Sequence, residues 1–229
     1  MASIVITADL HGSIDFTKIN NSRVKQYNDG EFPSYMLVAG DFGALWSNDP
    51  KDRQDAYLKR WYEAKPYDVV VIPGNHENYD RIEALPIEIY HNAKVRRYGR
   101  NIVFVERNEV LEIDGKKFYC FGGAESTDKL WRVPNISWWP QERASYADNA
   151  KMAEVLQKVK RVDYIIAHTA PKAIVHKMRR PGRENDSNSA ALEYLVANIE
   201  FDHFVFGHMH EEFSYGKYRC IYDDLVTVS

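Results

Sequence analysis

Cysteine is scarce: Cys120 and Cys220 are the only two in 229 residues. They lie far apart without paired metal-type spacing, which argues against a thiolate metal centre and suits two ordinary thiols in a reducing compartment. An excess of either charge is also missing. Thirty Lys and Arg face 33 Asp and Glu, for a net charge of -3 and a pI near 6.2. That balance gives no global electrostatic case for nucleic acid or a membrane surface, although it can hide local patches. No apolar window approaches the length of a membrane span. Met1-Ala2-Ser3-Ile4 leads straight into a strand-like run, with no basic segment and apolar stretch of signal-peptide form, so the expected location is cytoplasmic. Internal repeats and low-complexity segments are lacking too. What remains is 45% hydrophobic residues, enough for one domain with a substantial core over residues 1–229.

Short β-branched runs punctuate the chain, and several stop abruptly at polar residues. Ile4 to Ala8 ends in Asp9-Leu10-His11-Gly12; Tyr35 to Ala39 ends in Gly40-Asp41-Phe42-Gly43. Asp68 to Ile72 leads through Pro73 to Gly74-Asn75-His76-Glu77. Helices are expected over 16–27 and 52–65, the second stopping before Pro66. Strand and helix alternating in this way predict right-handed βαβ units, an α/β fold and a largely parallel sheet. Sites in such sheets lie beyond the carboxyl ends of the strands. From Ala93 the texture becomes antiparallel: short runs over 95–98, 102–106, 110–113 and 116–121, with Asp114-Gly115 as a hairpin turn. An aromatic, proline-containing surface loop is expected over 130–140, then a helix over 145–162. Tyr164 to Ala167 ends in His168, and Phe204 to Phe206 ends in Gly207-His208-Met209-His210. Between them come a basic loop over 176–183 and a helix over 189–199, capped by Ser187 or Asn188. Strands over 219–222 and 225–228 close the chain.

Pooled, the five exits supply Asp9, His11, Asp41, Asn75, His76, His168, His208 and His210. Imidazole, carboxylate and amide oxygen together suit a borderline or hard divalent ion. One such ion has no use for so many ligands, and two ions sharing a carboxylate do, as at recurrent two-metal sites for displacement at phosphorus. A single Asp or His at a strand end is more often a hydrogen-bonded turn or core residue than a ligand. Five in order are harder to read that way.

These motifs, from residue 9 to residue 210, resemble the calcineurin-like metallophosphoesterase superfamily. The resemblance implies a four-layer αββα sandwich of two mixed β-sheets. It implies two divalent ions, manganese first with iron, zinc or nickel as alternatives. Asp9, His11 and His210 would hold one, Asn75, His168 and His208 the other, and Asp41 would bridge. His76 would face the phosphate as the catalytic group. A hydroxide between the ions would attack phosphorus in line while protonated His76 assists as an acid. In the protein-phosphatase branch the motif after Gly40-Asp41 continues to an Asp that pairs with the catalytic His and an Arg that contacts phosphate. Ala44 and Leu45 stand there instead, so a phosphodiesterase or small-molecule phosphatase is expected, and His76 needs another orienting partner.

The expected partner is a small phosphorylated substrate, with a nucleotide as one option. Phe42, Trp46, Trp131, Trp138 and Trp139 could stack on a base, and Arg132, Arg179, Arg180 and Arg183 could meet further phosphates. Covering core or facing solvent is the plainer role for both sets. A non-catalytic, metal-stabilised scaffold and a nuclease acting on nucleic-acid ends are the alternatives. Glu77, His91, His176 and His203 are assigned no ligand role, and composition leaves the oligomeric state open.

Overall fold

The computed structural model describes residues 2–180, 183 and 186–228. The first half runs β1 (Ile4–Thr7), α1 (Asn21–Gln26), β2 (Tyr35–Ala39), α2 (Arg53–Glu63), β3 (Asp68–Ile72) and α3 (Tyr79–Glu83). It continues with β4 (Ile87–Tyr90), β5 (Ala93–Arg97) and β6 (Ile102–Val105). These strands form one seven-stranded sheet in the order β13-β1-β2-β3-β6-β5-β4, where β13 (Val226–Thr227) is the chain's last strand. Strands β1, β2, β3 and β6 are parallel, and β4, β5 and β13 join antiparallel at the two edges.

The second half builds a six-stranded sheet in the order β11-β12-β10-β9-β8-β7. It uses the hairpin β7 (Glu109–Ile113) and β8 (Lys116–Phe121), turned at Asp114-Gly115, where both residues have positive φ. Then come α4 (Tyr146–Lys158), β9 (Arg161–Ala167), α5 (Lys172–Lys177), α6 (Ser187–Asn198) and β10 (Glu200–Phe206). The last two strands of this sheet are β11 (Phe213–Tyr215) and β12 (Tyr218–Cys220). Here β8, β9, β10 and β12 are parallel, so the antiparallel texture expected after Ala93 holds for the edges and hairpins only.

Period-two alternation decides the layers. In β1, Ile4 and Ile6 face the second sheet, packing with Phe118, Ile166 and Val205, while Val5 faces the helices with Val24 and Leu58. On the far side, Phe121, Ile165 and Phe206 pack with Met152, Ile174 and Leu192 of the other helices. Three apolar cores therefore separate four layers, αββα, as the resemblance implied.

Several boundaries differ from expectation. The helix expected over 16–27 is broken at Asn20, which turns extended and uses its side chain to accept from Arg23 N, capping α1. The helix from Ser145 stops at Lys158, because Arg161 to Ala167 pairs into the sheet. Helix α6 begins two residues early, and Asp186 rather than Ser187 or Asn188 is its cap. Within the basic loop, Pro181 and Gly182 lie outside the described residues. Trp139, expected in a surface loop, is fully buried. Among the described residues no helix is long and apolar enough to cross a membrane.

Candidate metal centre

The parallel strands of both sheets point their carboxyl ends to one place. Beyond β1 and β2 the chains stay zipped, with Asp9 N donating to Gly40 O (3.1 Å), His11 N to Asp41 O (2.8 Å) and Gly12 N to Phe42 O (3.0 Å). The second sheet is stitched on by Asp9, whose two carboxylate oxygens accept from His208 N at 3.1 and 3.0 Å. His168 Nδ1 lies 3.0 Å from Ala39 O. Asp9, His11, Asp41, His208 and His210 all have positive φ, which turns their side chains back towards the common point. Glycine is required where the layers meet: a Cβ on Gly40 would lie 1.9 Å from His168 Nδ1.

Seven of the expected ligands come together in two overlapping groups. Asp9, His11, Asp41 and His210 offer donor atoms within 4.8 Å of one another, and so do Asp41, His168 and His208. Asn75 joins the second group, its Oδ1 3.0 Å from His168 Nε2. Asp41 is common to both, with Oδ2 3.3 Å from His11 Nε2 and Oδ1 3.1 Å from His168 Nε2.

The carboxylates and imidazoles of these groups shift one another strongly. Burial pushes the Asp9 carboxyl up to about 7, against the pull of His168. Burial also opposes the Asp41 charge, but His168, His76 and His11 outweigh it and hold this carboxyl well below its ordinary value. The same pairings, acting against burial, raise His11 and His168 to about 9. Burial and the charge of His168 keep His208 well below its ordinary value, and burial with His11 lowers His210 to about 4. His11 Nε2 is buried without a hydrogen bond. Two buried carboxylates, four imidazoles and an amide oxygen fit two divalent ions. The outer contacts fit as well, since Nδ1 of His168 faces Ala39 O and Nδ1 of His11 faces Asp15 Oδ2 at 2.8 Å, leaving each Nε2 for a cation.

His76 stands beside this cluster. Its backbone N donates to Asp41 Oδ1 (2.8 Å), and its ring stacks on Trp46 with centroids 5.7 Å apart. Arg132 supplies the missing orienting partner, Nη2 lying 3.0 Å from His76 Nε2. A guanidinium only donates, so Nε2 accepts there and His76 carries no proton on that atom in the substrate-free protein. Burial, with the Arg132 charge, lowers its pKa, although Asp41 pulls the other way. Nothing in the sequence connects Arg132 to His76 across 56 positions. Glu77 also has a clear place: fully buried, it accepts from Phe42 N (2.6 Å) and Gly43 N (3.2 Å), clamping the turn that carries Asp41.

The residues considered for substrate contacts divide. Phe42 and Trp139 are fully buried and cannot stack on a base. Lys129 Nζ covers Trp138, 4.9 Å from the ring centroid, and Trp131 is exposed. Arg180 pairs with Glu211 and Arg179 is exposed, whereas Arg183 donates to His208 O at 3.2 Å. Tyr164 stacks on His203, and Tyr35 and Tyr90 pack on His91, both structural roles.

A fold of two mixed sheets with these residues at the shared strand ends defines a metal-dependent hydrolase of phosphoesters. The chain belongs to the calcineurin-like phosphoesterases, whose family model matches residues 2–212. Among solved structures it is similar to the phosphopantetheinyl hydrolase of Mycobacterium tuberculosis, at 14% identity and a TM-score of 0.44, over 96% of this chain and 88% of that one. No curated protein matches.

Proposed function

We propose that the protein hydrolyses a small phosphoester with two divalent ions, held by Asp9, His11 and His210 and by Asn75, His168 and His208, with Asp41 between. The observation that carries this reading is Asp41 itself, shared by two groups of donor atoms. When bound, the ions supply positive charge to the phosphate oxygens and acidify a water near neutral pH. Manganese is our first choice for the carboxylate and amide oxygens, with iron, zinc or nickel as the alternatives that the imidazole donors suit.

The chain's own residues supply the rest. Arg132 brings its guanidinium to His76 and Arg183 to His208 O, and either charge could meet a phosphate oxygen there. With Arg132 drawn off to a phosphate oxygen, Nε2 is free to take a proton from solvent and give it to the leaving oxygen. Trp46 and the Asp41 contact hold the imidazole in place for that transfer. A cleft of about 410 Å³, lined in part by His11, Ser13, Trp46, Gln54 and His76, opens beside the site and has room for the organic part of the substrate. With Phe42 and Trp139 buried, the case for a nucleotide narrows to Trp46 and Trp131. Cys120 and Cys220 are free and buried, which suits a reducing, cytoplasmic setting.

The test is the Mn-loaded protein assayed on an aryl phosphomonoester, an aryl phosphodiester and 2′,3′-cyclic nucleotides. His76→Ala is expected to cut turnover with metal content nearly intact, and Asp41→Ala to lose metal. Equal metal loss in both variants refutes the assignment. No hydrolysis with two ions bound favours a scaffold.

A further inference from the structure

Asn75 is the one candidate ligand whose two ends are chemically opposite. Its Oδ1 can bind a cation and its Nδ2 cannot, yet the two ends have nearly the same shape, so packing does not choose between them. Hydrogen bonds have to. Oδ1 lies 3.0 Å from His168 Nε2, and Nδ2 donates to Ser126 Oγ at 3.2 Å. Ser126 Oγ then donates to Glu142 Oε2 (2.7 Å), and Ser126 N to Glu142 Oε1 (2.8 Å). Lys129 Nζ sits 3.0 Å from that same Oε1. Asn75, Ser126 and Glu142 are 3%, 4% and 0% exposed, so bulk water does not stand in for any of them.

The direction of these bonds follows from counting protons. A serine hydroxyl has one, and a carboxylate can only accept, so Ser126 Oγ donates to Glu142 and is left as an acceptor towards Asn75. Only the Nδ2 end of Asn75 can satisfy that acceptor. We propose that Ser126 and Glu142 are positioning residues that set the polarity of the Asn75 amide and so aim Oδ1 at the cation site. The inference rests on the reading above that Asn75 is a metal ligand.

Glu142→Gln tests it with little change of shape. Ser126 N and Lys129 both require an oxygen at the Oε1 position, so the new amide nitrogen falls opposite Ser126 Oγ and donates to it. The serine proton is then released towards Asn75, where it calls for Oδ1, and the amide turns over. Mn²⁺ affinity of the metal-free protein, measured by titration calorimetry, is expected to fall about 10–100-fold at one of two sites. In an Asn75→Asp background, whose two oxygens are equivalent, the same Glu142→Gln change is expected to cost nothing. Equal weakening in both backgrounds, or none with Asn75 present, overturns the proposal. Should Glu142→Gln fail to fold, Ser126→Ala is expected to weaken Mn²⁺ binding and Ser126→Thr to restore it, and equal affinities overturn the idea. Asn75→Ala separates the two levels: if it still binds two Mn²⁺ with unchanged affinity, the ligand assignment itself fails.

Discussion

Gly40 and Gly30 make a matched pair for measuring how tightly the two sheets close on the site. Both have strongly positive φ, +89° and +86°. An alanine at either position carries the left-handed penalty of roughly 1–2 kcal/mol. A Cβ on Gly30 meets nothing within 4 Å, whereas one on Gly40 would lie 1.9 Å from Nδ1, 2.2 Å from Cγ and 2.7 Å from Cβ of His168. His168 has nowhere to go, being fully buried with its nitrogens facing Ala39 O and Asn75 Oδ1. Overpacking of this kind typically adds about 1–3 kcal/mol, and more when the obstacle is fixed. In urea unfolding of the metal-free protein, Gly30→Ala is therefore expected to lose roughly 1–2 kcal/mol and Gly40→Ala roughly 2–5. Mn²⁺ titration supplies a second reading, because the displaced ring is a proposed ligand: affinity is expected to drop in Gly40→Ala and to hold in Gly30→Ala. Equal stability losses would refute the close packing. Unchanged Mn²⁺ affinity in a destabilised Gly40→Ala would refute the role of His168.

Arg132→Met removes the positive charge beside His76, so the His76 pKa is expected to rise towards its ordinary value, checked by following its imidazole proton signals against pH; an unmoved pKa counts against the contact. His11 and His168, raised to about 9, carry protons near pH 7 in the metal-free protein, and Asp9, raised to about 7, is about half protonated there; all must lose them to bind a cation, so Mn²⁺ binding is expected to release about two to three protons and to tighten as pH rises towards 9. The two histidine shifts give the metal-free protein stability that is complete below about pH 6.5 and lost as pH climbs through 9, which melting curves at a series of pH values would record. At the other end of the scale, burial opposes the charge of Asp148, but Arg107 and the Ser145 cap outweigh it and hold the carboxyl below 3.8. Its stabilisation is present above about pH 4 and lost below, so Asp148→Asn should lower stability by roughly 1 kcal/mol at neutral pH and by progressively less in acid.

The strand exits were legible because each is a local signal: an apolar run that stops at a polar residue announces both a strand and its end. The order of those exits carried the resemblance, and with it the layers and the seven candidate ligands. Helix α3 and strand β4 left no such mark, since five and four residues are too few for periodicity, and Ile87 and Ile89 lie on an exposed edge. The partners of His76 and Asn75 were hidden for another reason. Arg132, Ser126 and Glu142 sit on a long segment between β8 and α4 whose path is set by packing, such as Trp139 Nε1 donating to Asp80 Oδ2 at 3.1 Å, and no spacing rule links 132 to 76 or 126 to 75. Glu77 reads as part of a motif in the sequence and is a clamp on the neighbouring turn in the structure, a role visible only once Phe42 N and Gly43 N are seen to point at it.

The bond between Asp9 and His208 N joins residues 199 positions apart, across the seam between the two sheets at their strand ends. The candidate centre is thus a rivet as well as a proposed reaction site. Each half of the chain holds an incomplete set of ligands, and a cation can be fully held only after both sheets are built and docked. Metal binding should then act as a late latch on assembly, favouring the docked state by mass action in proportion to the logarithm of metal concentration. A cell that lowers its supply of the ion would loosen the seam between the halves before it touched either sheet.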